Sequence, residues 1–196
     1  MTPPARPDRR RFLLLGAAAA GAALCPLPRS AEAEPLIPAV QSAGRALTRW
    51  IELVNTHTSE SLQVAYRDAS GLVRGSLSKL HWLLRDHRAN EAGDIDPALF
   101  DQLADFAAKL GVEPRYQVIS AYRSARTNEM LRRTGGGGVA RKSLHMQGRA
   151  IDVRLHGIDC AALRDVAVSA GVGGVGYYRR SAFVHLDTGA VRAWAG

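Results

Sequence analysis

The sequence predicts a single α+β domain. Three observations lead there. Apolar residues recur with helical period in segments near 76–84, 97–110 and 159–170. Short runs with strand character are interspersed with them rather than set in strict strand–helix–strand order. No repeat or internal linker divides the chain beyond its N-terminal region.

Taken in order, residues 34–47 are a Pro- and Ala-containing lead-in without pattern. RWIELVNTHTSESLQVAYR reads as two strands, about 49–56 and 61–67, joined through Thr, Ser and Glu turn residues. In SLSKLHWLLRDHR, Leu77, Leu80, Leu83 and Leu84 share one helical face, with Ser76 as the expected cap. A second helix, about 97–110, opens on Asp96 as cap and Pro97 at its first position, and Gly111 ends it. Its expected core stripe is Leu99, Phe100, Leu103, Phe106, Ala107 and Leu110.

The strand YQVISAY then leads to Arg123 and a polar helix, about 124–133. Gly135 to Gly138 form a loop; a phosphate-binding reading fails because no strand immediately precedes it and no Gly-Lys-Ser/Thr follows. A strand at 149–155, a helix at 159–170, a Gly-rich turn, and strands at 175–178 and 182–187 complete the expected order.

The N-terminal region reads as an address. Arg9-Arg10-Arg11-Phe12-Leu13 resembles a twin-arginine export motif, a short apolar run extends from Leu13 to Leu24, and Ala31-Glu32-Ala33 has the small-x-small form of a cleavage site. The run of about 12 residues is too short to span a bilayer of about 30 Å. The expectation is therefore a signal over residues 1–33, a domain over 48–196, and a periplasmic protein without stable membrane insertion. A retained anchor is the alternative; a lipidated Cys25 fits poorly after the bulky Leu24.

Removing the signal lowers the net charge from +8 to +5, suited to an acidic partner such as cell-wall peptide carboxylates or anionic lipid headgroups. Nucleic acid is not the expected partner, since no basic run with interleaved aromatics occurs and an exported protein does not meet it. Cys160 alone would remain, so no internal disulfide is expected, and its neighbours suggest a buried thiol. Trp50, Trp82 and Trp194 are too scattered to suggest a carbohydrate- or lipid-binding platform.

The chemistry concentrates in RKSLHMQGRAIDVRL and SAFVHLDTG. His145 precedes a strand on which Ala150, Asp152 and Arg154 point one way and Ile151 and Val153 the other. A carboxylate in such a setting is costly to bury unless paired or bound to a cation. On the last expected strand, Phe183, His185 and Asp187 share a face. Two imidazoles and a carboxylate make a three-ligand zinc site with a fourth position open. Spacing alone leaves both readings standing: a ligand set, or a loop histidine beside a paired aspartate.

SLHMQGRAID resembles the S-x-H-x-x-G-x-A-x-D signature of the D-Ala-D-Ala carboxypeptidase and hedgehog-type zinc peptidases, and FVHLD resembles their distal motif. The nearest branch is the MepK-like murein endopeptidases, with likeness running from NTHTSESLQVAYR through LLRDHR and SAYRSARTN to GVGYYRRSAFVHLDTG. The resemblance implies a small, mainly antiparallel sheet carrying zinc on His145, Asp152 and His185. It also implies Arg123 as a binder of substrate carboxylate or oxyanion, and hydrolysis of peptidoglycan stem-peptide cross-links.

Many relatives carry an acid or histidine three residues before the final ligand, where this chain has Ala182. Asp187 is the expected substitute, either as proton acceptor or as a residue orienting His185; His57 and His156 are further sources of a group, and Ser143 shapes the loop. The rivals are a D-alanyl-D-alanine carboxypeptidase, which would use the same residues, and a non-catalytic wall-binding domain with structural zinc.

Overall fold

A computed structural model describes residues 48–134 and 139–196. The expected signal, the lead-in over 34–47 and the Gly135–Gly138 loop lie outside the described residues. Eight strands form one sheet: β1 (Arg49–Asn55), β2 (Ser61–Asp68), β3 (Gly71–Leu72), β4 (Arg115–Ser120), β5 (Ala150–Leu155), β6 (Gly174–Tyr178), β7 (Phe183–Asp187) and β8 (Arg192–Ala195). Their order across the sheet is β3-β2-β1-β4-β5-β7-β6-β8. Four helices accompany them among the described residues: α1 (Arg74–Leu83), α2 (Pro97–Lys109), α3 (Ala125–Thr134) and α4 (Cys160–Ala170), with a 3-10 turn at Leu144–Gln147.

The α+β class holds, but the sheet is a mixed one of eight strands rather than the small one expected. β1 pairs with β4, and β6 with β8, in parallel, while the other five pairings are antiparallel. The parallel β1–β4 pair closes over a connection that includes α1 and α2. β3 and β8, of two and four residues, are too short to show a period in sequence.

Alternation along the strands divides the sheet into two faces. Ile51 and Leu53 of β1, Tyr116 and Val118 of β4, Ile151, Val153 and Leu155 of β5, and Val184 and Leu186 of β7 enter one apolar core. α2 covers it with Leu99, Phe100, Leu103, Phe106 and Ala107. Each such Leu or Phe contributes about 1.5–3 kcal/mol by burial. Asp96 caps α2 by accepting from the Ala98 N–H at 3.0 Å, with Pro97 at the first position, as the sequence suggests. Two buried tyrosines tie sheet to helix: Tyr116 donates to the Leu103 carbonyl at 2.8 Å and Tyr66 to that of Phe100 at 3.1 Å.

Several local expectations need correction. Ser76 does not cap α1; Val73 occupies that position, without a side-chain cap, because its N–H is bound to Tyr66 as β3 ends. β4 stops at Ser120 rather than Tyr122, since the backbone of Ala121 to Arg123 turns away to bond Leu84 and His145. Cys160 is half-buried rather than enclosed, with its thiol donating to the Ala182 carbonyl at 3.3 Å. Among the described residues no helix is long and apolar enough to cross a membrane.

Candidate metal centre

β5 and β7 are antiparallel neighbours, and their register sets Asp152 directly beside His185. Directly opposed residues on one face are close enough for their side chains to interact. His145 arrives from the 3-10 turn that precedes β5. Ser143 caps that turn through its hydroxyl, and Gly148 closes it at φ +64°. At Gly148 a Cβ would lie 1.7 Å from the Asp94 carbonyl oxygen, so the turn demands glycine for space as well as for backbone angle.

The three side chains are brought together. His145 Nε2 lies 3.2 Å from His185 Nδ1, Asp152 Oδ1 lies 2.8 Å from His185 Nδ1, and Asp152 Oδ2 lies 3.4 Å from His145 Nε2. Ligands held at about 2.0–2.1 Å around a tetrahedral zinc ion stand about 3.3 Å from one another. The separations fit such an ion.

Hydrogen bonds behind the rings reinforce the fit. His145 Nδ1 lies 2.7 Å from the Ala121 carbonyl, which only accepts, so that nitrogen carries the proton and Nε2 is a free lone pair when the ring is neutral. His185 Nε2 lies 3.1 Å from Asp187 Oδ2, which likewise leaves Nδ1 as the inward nitrogen. With both rings neutral, each would present a lone pair to one point beside a buried carboxylate.

The electrostatics follow from this crowding. Burial opposes ionisation of Asp152, yet the charge and hydrogen bonds of His145 and His185 hold its carboxyl well below the usual carboxylate range. Burial also works against charge on His185, but hydrogen bonds to Asp152 and Asp187 prevail and push its pKa up to about 9.

The centre opens into a cleft of about 610 Å³. Arg123 lines it, 3.9 Å from Asp152 Oδ2, with Nη2 on the Ser120 hydroxyl and Nη1 on Asn128. Among the described residues its buried Nε has no partner. Lys142 and Ser143 stand on the same wall as His145, while Tyr178, Phe183 and Trp194 form an aromatic wall. Among the described lining residues Asp152 is the one carboxylate.

Asp187, by contrast, is buried behind His185 and does not line the cleft. Its Oδ1 accepts from the Gly174 and Gly189 N–H groups at 3.0 and 2.8 Å, and Arg192 donates to both oxygens. Burial notwithstanding, the hydrogen bonds to His185 and Arg192 and the two backbone donors keep its pKa well below the usual carboxylate range. Ala182 sits in the turn before β7 at φ +50°, its carbonyl bound to Arg154. His57 stacks on His87 with its Nε2 on the Ile119 carbonyl, and His156 is exposed; neither lines the cleft.

A family model described as peptidoglycan L,D-endopeptidase MepK matches residues 43–194. The protein of that name from Escherichia coli K12 is 43% identical over 187 residues, covering 95% of this chain and 97% of its own length. The Shigella flexneri protein of the same name is equally similar. A Haemophilus influenzae relative is 38% identical over 190 residues, 96% of each chain. The chain belongs to the peptidoglycan L,D-endopeptidase MepK family.

For this MepK family member, two cleft residues escaped the sequence reading. Trp194, dismissed there as isolated, packs its ring 5.2 Å from that of His185 and donates to the Tyr178 hydroxyl at 3.2 Å. Arg192 reaches Asp187 from β8. The one hint was RAW following DTG at strand spacing, too brief to carry a period.

Proposed function

We propose that the chain is a zinc-dependent peptidoglycan endopeptidase, exported by the twin-arginine route to the periplasm, where it hydrolyses peptide cross-links between stem peptides. The observation that carries the reading is the convergence of His145, Asp152 and His185 at the floor of a cleft, with ring tautomers held from behind. Family membership supplies the substrate class.

In this reading His145 Nε2, His185 Nδ1 and the Asp152 carboxylate would hold the ion. A zinc ion there supplies Lewis-acid activation of water and polarisation of the scissile carbonyl. Arg123, with an unpartnered buried Nε–H, offers donors to the oxygen on which negative charge develops, or to a neighbouring substrate carboxylate. Burial depresses its pKa, so an anionic group beside it relieves that cost. Asp187 orients His185 rather than taking a proton from water, since its oxygens are bound by four donors besides the imidazole and it faces away from the cleft. The aromatic wall shields one side of the bond from solvent.

Digestion of purified sacculi by the mature protein, with and without chelator, tests the proposal. Cross-linked muropeptides should fall and monomers rise, and chelator should stop the reaction. Release of terminal D-alanine without loss of cross-links would favour the carboxypeptidase; binding without cleavage would favour a wall-binding domain.

A further inference from the structure

β8 contributes two side chains that reach back to one metal-ligating ring. Arg192 donates from Nη2 to Asp187 Oδ2 at 2.6 Å and from Nη1 to Oδ1 at 3.2 Å. Asp187 Oδ2 is the atom that faces His185 Nε2, at 3.1 Å. The guanidinium also lies over the Trp194 ring, 5.0 Å from its centroid, and that ring leans on His185. A parallel pairing of β8 with β6 delivers both residues to this place.

The neighbouring strand is cut to receive them. A Cβ at Gly174 would lie 2.4 Å from Asp187 Oδ2 and 2.5 Å from Arg192 Nη1. At Gly176 it would lie 2.6 Å from the Trp194 indole. Two glycines, with one residue between them on β6, therefore leave seats for the ion pair and for the ring.

The division of labour on the Asp187 carboxylate shows what Arg192 adds. Both backbone N–H donors go to Oδ1 and neither reaches Oδ2, the oxygen that meets His185. Among the described residues, His185 and Arg192 alone hold Oδ2. Remove the guanidinium, and the oxygen that selects the tautomer of His185 is held by His185 alone. Arg192 supplies two of the four donors that this carboxylate has besides the imidazole, and is its ion-pair partner, so without it the group that holds the ring is less firmly seated and less well neutralised. Arg192 is absent from the ligand set, yet its pull passes through a single atom to the ring. Outer partners of this kind typically change metal affinity about 10- to 100-fold when removed.

We propose that Arg192 is a positioning residue of the metal centre: acting through Asp187, it fixes the ring plane and tautomer of His185 so that Nδ1 is presented to the ion. This rests on the zinc reading above.

The test measures zinc dissociation constants by chelator competition on purified metal-free protein, for the parent, Arg192→Met, Arg192→Lys, Asp187→Asn and the double variant Arg192→Met/Asp187→Asn. Arg192→Met should weaken zinc about 10- to 100-fold. Arg192→Lys should recover part of the loss, because an ammonium can grip one oxygen but not both. In the Asp187→Asn background, Arg192→Met should add less than about twofold, since the effect runs through the carboxylate. The last result separates positioning from general support of the fold, which would multiply in the double variant. Should Arg192→Met fail to fold, Arg192→Gln replaces it with the same expectations. Zinc affinity in the Met or Gln variant within twofold of the parent, or multiplying losses in the double variant, overturns the assignment while leaving the metal centre intact. A parent chain that takes up no zinc overturns both.

Discussion

His145 Nε2 and His185 Nδ1 face each other 3.2 Å apart, each ring having its other nitrogen turned to an acceptor behind it. Two lone pairs at that distance repel unless a proton or a cation lies between them. Zinc at about one hundred times its dissociation constant should therefore stabilise the fold by about 2.7 kcal/mol, raising the unfolding midpoint by about 5–10 °C for a domain of this size. Calorimetry with zinc and with chelator measures this, and identical midpoints would count against the site.

Asp152→Ala removes the carboxylate of the proposed ligand set and leaves the two imidazoles without their shared counter-charge. Metal content after gel filtration should fall below about a tenth of the parent's, three-ligand zinc sites losing affinity steeply with any ligand. Elemental analysis decides the matter, and full retention of zinc would remove Asp152 from the assignment.

Arg123→Ala should spare zinc content and reduce turnover on cross-linked muropeptides by about 10²–10³, the usual loss on removing a donor to a developing oxyanion. Should the residue instead bind only a substrate carboxylate, KM would rise with kcat intact. Steady-state kinetics on a purified cross-linked dimer separate these outcomes, and unchanged kcat and KM exclude both.

Gly148→Ala and Gly157→Ala place the same methyl at similar backbone angles, φ +64° and +73°. The left-handed conformation costs about 1–2 kcal/mol at either position. Only at Gly148 does the Cβ meet backbone, 1.7 Å from the Asp94 oxygen, whereas nothing stands within 4 Å at Gly157. Denaturant unfolding should show Gly148→Ala to be more destabilising by at least about 2 kcal/mol, in the range of severe strain and overpacking. Equal losses would mean the turn has room to shift.

Acid stability should depend on Asp86. Burial raises the pKa of this carboxyl, but hydrogen bonds from Thr127 and Ser124 and from backbone N–H groups prevail and lower it to about 2, from 3.8. A carboxyl depressed on folding stabilises the native state above its unfolded pKa, and that contribution drains away as pH falls from about 4 through 2. The amount is on the order of 2 kcal/mol. Asp86→Asn should be less stable than the parent at pH 7, with the gap narrowing toward pH 2. A gap independent of pH would show that the carboxyl titrates normally. The site is also linked to function: Asp86 holds the Ser124 N–H and hydroxyl, next to Arg123.

Much of the centre was legible before any coordinates. SLHMQGRAID packs His145 and Asp152 into one local segment, and strand alternation puts His185 and Asp187 on the face opposite Val184 and Leu186. The capped, proline-opened helix α2 was equally plain, because its signals lie within a turn or two of the residues they govern. β3 and β8 were hidden, since two and four residues give no period to detect.

The amino-acid sequence by itself determined which residues carry ligating chemistry, which stretches form helices, and which side of each longer strand is apolar, because those properties depend on neighbours along the chain. Tertiary structure alone decided that Asp152 stands opposite His185, that Asp187 lies behind the ring instead of in the cleft, and that β8 returns Arg192 and Trp194 to it. Register between strands is the physical reason. A one-residue slip would turn Asp152 or His185 to the opposite face of the sheet, and only packing of the whole apolar core against α2 and α4 selects the alignment observed.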